Sequence, residues 1–261
     1  MGATYLSGAS EALRDNTLPI LDALVTANEE RAEDAMGGQH PWWLLLVGIL
    51  ALLGIVWLNR QLGRHFRRRI NVGLAVATGI VLLVSLVTIV LAFGRAGDND
   101  DLRAGDFRTA VDQAAARTAA NDAKANESLR LINRGSGELY EAPWRESAEV
   151  VEDRAASSTL AAWREYVRRH EDVVVLDDED RWGQARENAT ARTGDEATTV
   201  PLDAFDAESQ TLIDEAGTGA TDELRSGRSL AIGLAALTLL LGVAASIAVA
   251  RGIGARRREY A

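Results

Sequence analysis

The sequence predicts an all-α protein with three transmembrane helices and an extracytoplasmic antiparallel helical bundle. Three stretches, Pro41 to Leu58, Val72 to Gly94 and Ser229 to Ala250, contain no charged side chain. Each approaches the roughly 17–25 apolar residues that a helix needs to cross a bilayer. The rest of the chain is strongly polar, with 38 acidic and 28 basic residues and a formal net charge of -10. It offers too little apolar surface to wrap three such helices in a soluble core. Within its longest polar segment, apolar residues recur at gaps of three and four, the period of a helix.

The elements follow in order. Residues 1–40 read as an extracytoplasmic helical segment, bent at Pro19 and able to pack against the bundle. The first span, 41–58, is marked at its ends by Trp42, Trp43 and Trp57, whose amphipathic rings suit the headgroup level. The loop 59–71 carries Arg60, Arg64, Arg67, Arg68 and Arg69 and no acid. The second span, 72–94, is rich in Val, Ile and Leu; the third, 229–250, in Ala, Leu and Gly. Small residues four apart, Gly73 with Ala77 and Gly242 with Ser246, would let spans approach closely. The tail 251–261 holds Arg251, Arg256, Arg257 and Arg258 against Glu259 alone.

Positive charge near a span end is retained in the cytoplasm, so the loop and the tail are expected there. Two spans separate them, which is the required parity. Residues 1–41, with two Arg against seven acids, and residues 95–228, with 17 basic against 30 acidic, are expected outside. An outside N-terminus of this length has no span before it to carry it across. Either its low positive charge lets the tail translocate by itself, or the native protein has a further span upstream of Met1, and the second explanation is the one favoured.

In the segment 95–228, Phe107, Val111, Ala114, Thr118, Ala125, Leu129 and Ile132 trace one long amphipathic helix, with Asn121 on the same seam. Arg134 to Pro143 breaks the pattern with Gly135, Gly137 and Pro143, and Val151, Ala155, Leu160, Trp163 and Val167 then form a second stripe. Val173 to Leu176 reads as an apolar crossing between helices. Asp177 to Asp180 is a run of four acids without the ligand spacing or turn glycine of a calcium loop, and reads as a solvated turn or helix N-terminus. A third helix starts near Arg181 with Trp182, Ala185 and Ala189 inward, and 190–199 is a linker. Pro201 suits the first turn of a last helix with Phe205, Leu212 and Ala216 inward, which runs into the third span; Gly217 and Gly219 suggest a bend.

No catalytic, cofactor-binding or metal-binding residue is expected. Cysteine is absent, which removes disulfides and thiolate chemistry. The three histidines are His40 at a membrane boundary, His65 in the basic loop and His170 near a helix end, and topology keeps them from forming one site. No phosphate-cradling loop, zinc-binding pair or activated nucleophile is present, so an enzyme is not expected. Charge-free spans do not supply the ionisable pathway of a pump. The two basic segments can also act as topology determinants resting on anionic headgroups.

The stretches YLSGASEALRDNTLPILDALVTANEERAEDAMG (Tyr5 to Gly37), LINRGSGELYEAPW (Leu131 to Trp144), VLDDEDRWGQA (Val175 to Ala185) and RRREYA (Arg256 to Ala261) carry a resemblance. In them the chain resembles actinobacterial multi-pass membrane proteins with an extracytoplasmic helical domain. That group includes the transmembrane partner in glutamate and glutamine sensing coupled to a serine/threonine kinase. The resemblance implies coupling between an extracytoplasmic solute-binding protein and a cytoplasmic kinase, and transfers no functional residue. Members of the group look like four-span proteins with a further helix and span ahead of the Tyr5 region, which this sequence lacks.

The function expected is an extracytoplasmic sensor or signal-transducing adaptor relaying to a separate cytoplasmic effector. The alternative is a structural or scaffolding membrane protein without a ligand-dependent state. Expected partners are the lipid bilayer, the two proteins just named and a second copy of the chain, with no nucleic acid. A polar pocket near Tyr140, Trp144 and Trp163 would separate the two readings; those aromatics serve equally as core packing or caps. The ligand-binding residues are unknown from sequence.

Overall fold

A computed structural model of the chain describes residues 8–9, 12–37, 42–66 and 72–259. Expectations placed on 1–7, on His40 and Pro41, on Arg67, Arg68 and Arg69, and on 260–261 lie outside the described residues. All regular structure within them is helical. A π-helical stretch, Leu13–Thr17, leads into α1 (Leu18–Gly37), followed by α2 (Trp42–Phe66), α3 (Val72–Ala104), α4 (Asp106–Ile132), α5 (Gly137–Arg154), α6 (Leu160–Asp178), α7 (Trp182–Thr190) and α8 (Thr199–Glu259). The chain divides into two compact units, one of Met1–Arg31 with Leu102–Thr221 and one of Ala32–Asp101 with Asp222–Ala261.

The second unit holds the apolar helices. Among the described residues, three helices are long and apolar enough to cross a membrane, and the described parts of the charge-free stretches lie within α2, α3 and α8. Their large side chains point outward: Leu50, Leu86 and Leu240 are all more than half exposed. In water each would forfeit roughly 25 cal/mol for every Å² of apolar surface left unburied, so lipid is the medium these helices fit. Small residues set their closest approach. A Cβ on Gly48 would lie 3.0 Å from Ser85 Oγ, and Ala77 and Ala245 are buried. Ala77 thus serves as the spacing suggested, whereas Gly242 and Ser246 do not mark a contact. Nothing lies within 4 Å of a Cβ placed on Gly242, and Ser246 Oγ donates back to the Gly242 carbonyl at 2.9 Å. The buried small residue of that helix is their neighbour Ala245.

The first unit is an up-down-up-down four-helix bundle of α4, α5, α6 and the first part of α8. Its directions follow from its contacts. Going up α4, Gln113 meets Ser209, Arg117 meets Asp206 and Lys124 meets Thr198, so α8 runs antiparallel. The same ascent meets Thr159, His170 and Asp177 in rising order, so α6 runs parallel to α4. Helix α5 descends between them, from Glu141 beside Arg130 to Arg154 beside Asp112. The core sets alanines of α4 against aromatics: Ala116, Ala120 and Ala123 face a layer with Trp144, Val151, Trp163, Tyr166, Leu202 and Phe205. Small residues opposite large ones let four helices interdigitate without voids. A second cluster, Leu131, Val173, Ala185 and Ala189, seats the short α7.

Several expectations are corrected. The buried seam of α4 runs through Gln113, Ala116, Ala120, Ala123, Glu127 and Arg130, and widens near its end to take in Asn126, Leu129 and Leu131. Of the predicted seam, Leu129 is buried, while Ala114, Thr118, Asn121 and Ile132 are exposed. Counting apolar residues found the right period on the wrong face, because the inward face carries polar groups that are paired inside. The stripe from Val151 to Val167 spans two helices, since α5 ends at Arg154 and α6 begins at Leu160. The α4–α5 turn is shorter than predicted: Gly135 supplies its left-handed φ of 79°, and Pro143 lies inside α5. The carbonyl that Pro143 leaves without a donor belongs to Leu139, a residue 72% exposed, so water can satisfy it.

Val173 to Leu176 is not a crossing, because α6 continues to Asp178. The acidic run therefore sits at a helix C-terminus, not at an N-terminus. Asp180 takes a left-handed φ of 60°, and Arg181 N–H closes on the Leu176 carbonyl at 2.9 Å, which stops the helix. Pro19 falls in the first turn of α1, where the π-helical stretch Leu13–Thr17 passes into it. Ile20, Leu21, Leu24 and Val25 on α1 are at least half exposed, so the expected packing of this segment on the bundle leaves its apolar residues uncovered. Helix α8 passes through Gly217 and Gly219 without a break in its assigned span. Gly219 admits a neighbour there, since a Cβ would lie 2.4 Å from Asp106 Oδ2. The predicted inward residues Trp182, Ala185, Ala189, Phe205 and Ala216 do pack inward.

Candidate functional site

The upper half of the bundle core is a network of charged groups. Helix α4 turns Glu127 inward four residues after Ala123, and Arg130 follows on the same seam. The inward stripe of α6, Trp163, Tyr166, His170 and Val173, recurs at gaps of three, four and three and brings the imidazole to the same level. Helix α5 contributes Glu141 and Trp144, and Thr198 precedes α8.

Glu127 is fully buried and its two carboxylate oxygens are divided between partners. Oε1 accepts from Thr198 Oγ1 at 3.0 Å and pairs with Lys124 Nζ. Oε2 lies 2.8 Å from His170 Nδ1. Lys124 Nζ also donates to the Ala189 carbonyl at 2.7 Å and to Thr198 Oγ1 at 2.6 Å. Burial is the largest influence on Glu127 and raises its pKa, but His170 and Lys124 together outweigh it and hold the carboxyl below its ordinary range.

His170 is buried between two carboxylates. Its Nε2 faces Glu141 Oε2 at 3.6 Å, an ion-pair distance too long for a hydrogen bond. Its ring lies on the Trp144 indole with centroids 3.9 Å apart and planes 8° from parallel. Burial is again the largest influence and pulls the imidazole pKa down, yet Glu127 and Glu141 together raise it above the ordinary value. Glu141 is lowered in return, chiefly by His170. Tyr166 closes the floor: burial, then the charge of Glu127, drives its pKa well above the ordinary phenol value, and its oxygen accepts from Trp144 Nε1 at 3.3 Å.

Arg130 caps the network. Its guanidinium pairs with Glu141 at 3.5 Å and with Asp177 at 3.1 Å, and also reaches Asp178. Acids at the end of α6 oppose the helix dipole, and Arg130 offsets them. The backbone yields space for it, since a Cβ on Gly137 would lie 2.8 Å from Arg130 Cζ. Lower in the bundle, Gln113 is also buried and satisfied. It donates to Ser209 Oγ at 2.7 Å and Thr159 Oγ1 at 3.3 Å, and accepts from Ala156 N–H at 2.8 Å.

Of the aromatics singled out in the sequence, Trp144 and Trp163 belong to the packed core, with centroids 6.5 Å apart. Tyr140, one turn before Trp144 on α5, is half-buried, its hydroxyl accepting from Asn133 Nδ2 at 2.8 Å. His170 is not near a helix end but in the middle of α6. Sequence reasoning missed Glu127, Lys124, Arg130, Glu141 and Thr198. The available signal was the gap pattern four, three, four, three through Ala116, Ala120, Ala123, Glu127 and Arg130, which needs the seam to be followed through charged residues.

Comparison of the chain with protein-family models, with curated proteins and with solved structures finds no match.

Proposed function

We propose that the chain is a multi-pass membrane protein whose four-helix bundle acts outside the cytoplasm as a sensor or signal-transducing adaptor, relaying to a separate cytoplasmic effector. The observation that carries this reading is α8, assigned as one helix from Thr199 to Glu259. Its first part lines the bundle core through Leu202, Phe205 and Ser209, and its later part contains the third charge-free stretch. A helix shared in this way converts a change in bundle packing into a displacement of its far end.

The acidic excess of residues 95–228 and the arginines of 59–71 and 251–261 support the orientation, with the bundle outside and both basic segments in the cytoplasm. The resemblance to the actinobacterial glutamate and glutamine sensing group supports the partner classes, an extracytoplasmic solute-binding protein and a cytoplasmic kinase. The uncovered apolar residues of α1 give such a partner, or a second copy, a surface to engage.

A photocrosslinking amino acid at the exposed position Glu171, in native membranes, tests the reading. Recovery of a solute-binding protein whose yield changes with added glutamate or glutamine supports it. Recovery only of the chain itself or of envelope components, unchanged by either, rejects it in favour of a scaffold.

A further inference from the structure

The network in the bundle core is organised around one group whose charge changes near neutral pH. Polar and charged groups reach His170 from α4, α5, α6 and the start of α8, with Arg145 behind Glu141 on α5. From α4 come Glu127 at 2.8 Å and, behind it, Lys124; from α5 come Glu141 at 3.6 Å and the flat face of Trp144. Tyr166 lies one turn away on α6, Thr198 shares Glu127 from the α8 side, and Arg130 pairs with Glu141 from above.

The site fits an imidazolium and not an imidazole. Nδ1–H can donate to Glu127 in either state. Nε2 lies at ion-pair distance from the Glu141 carboxylate, so a neutral ring with its proton on Nδ1 would aim a lone pair at a negative charge. The opposite tautomer would turn the Nδ1 lone pair on Glu127, which is worse. An indole face at 3.9 Å also favours the cation. Glu127 has Lys124 and His170 as its cations, and Glu141 has His170 beside Arg130 and Arg145, so loss of the proton leaves the buried Glu127 with Lys124 alone and takes from Glu141 the cation nearest the core.

We propose that the pocket formed by Glu127, Glu141 and Trp144 around His170 is a proton-binding site that ties α4, α5 and α6 together when occupied and loosens their upper ends when empty. This inference is independent of the sensor reading, since it concerns the bundle in any membrane protein that carries it. The folded bundle holds the His170 proton more tightly than the unfolded chain does. Its stabilising contribution is therefore complete below the unfolded pKa of about 6.5 and is lost as pH rises through the higher folded value.

The test uses the full chain in lipid nanodiscs, with His40→Gln and His65→Gln so that His170 supplies the sole imidazole signal. Ring proton resonances are followed from pH 5 to 9 beside thermal unfolding read by tryptophan fluorescence. The expected result is a His170 midpoint above 6.5 with Tm falling across the same interval. Glu141→Gln, a partly exposed position, is expected to move the midpoint down by about one unit or more, as removal of a carboxylate beside a cation does. A midpoint at or below 6.5, a midpoint unmoved by Glu141→Gln, or a Tm flat from pH 6 to 9 overturns the proposal.

Discussion

The imidazole of His170 lies parallel to the indole of Trp144 at 3.9 Å, so the aromatic core and the buried charged network meet in one contact. Trp144→Leu removes the stacking partner and the donor to Tyr166 together. It is expected to lower the His170 midpoint and to cost about 2–4 kcal/mol, in the range of large core truncations. Chemical denaturation of the full chain at pH 6, beside the imidazole titration, checks both parts. An unchanged midpoint would assign Trp144 to packing alone.

Glu127 has no exposure, and its removal takes from Lys124 and the buried His170 the carboxylate they share. Glu127→Gln is expected to cost about 3–5 kcal/mol, the penalty for breaking a buried charged pair from one side. Asp206 makes a two-pronged pair with Arg117 at 2.6 and 2.9 Å, but both side chains are about a third exposed. Asp206→Ala is therefore expected to cost less than about 1 kcal/mol. Equilibrium unfolding of the two variants under one condition measures the contrast.

On the acid side the same network predicts a second limb. Glu127 and Glu141 are held below their ordinary values in the folded bundle, so their contribution is present above about pH 4.5 and declines as pH falls through the folded values. Glu165 is lowered to about 2 by Arg168 and Arg169, yet it sits at the surface, where screening leaves such pairs little effect. Glu165→Gln is expected to leave the acid limb in place, whereas Glu141→Gln reduces it. Tm between pH 3 and 6 distinguishes them.

Gly137 opens α5 against the Arg130 guanidinium. Arg130 cannot retreat without leaving Asp177 and Glu141. Gly137→Ala is expected to destabilise by about 1–3 kcal/mol through overpacking, despite the better helix propensity of alanine. A stabilised variant in thermal unfolding would contradict the close approach.

The long apolar helices were legible in the sequence because absence of charge over the length of a span has few other meanings. Helices of the bundle were legible by period, and α7 with Ala185 and Ala189 was read correctly. The inward face of α4 was not, because alanine carries little hydrophobic signal and Gln113, Glu127 and Arg130 are residue types normally assigned to the surface. Their burial depends on partners from α5, α6 and α8 that are 11 to 96 residues distant. Asp177 to Asp180 was read in part, since Glu179 and Asp180 do form an exposed turn, but the helix they adjoin ends there and Arg130 is what offsets its terminal acids. His170 was seen only as one of three separated histidines, and its two carboxylate neighbours come from other helices.

The measurement that tests the account most directly is the side of the membrane on which the bundle lies. The chain has no cysteine, so Glu146→Cys on α5 and Gln61→Cys near the end of α2 each provide a single label. With a membrane-impermeant maleimide on intact cells, the account predicts labelling at position 146 and none at 61 until the cells are opened. Labelling at 61 with protection at 146 would put the bundle in the cytoplasm and contradict the extracytoplasmic sensor.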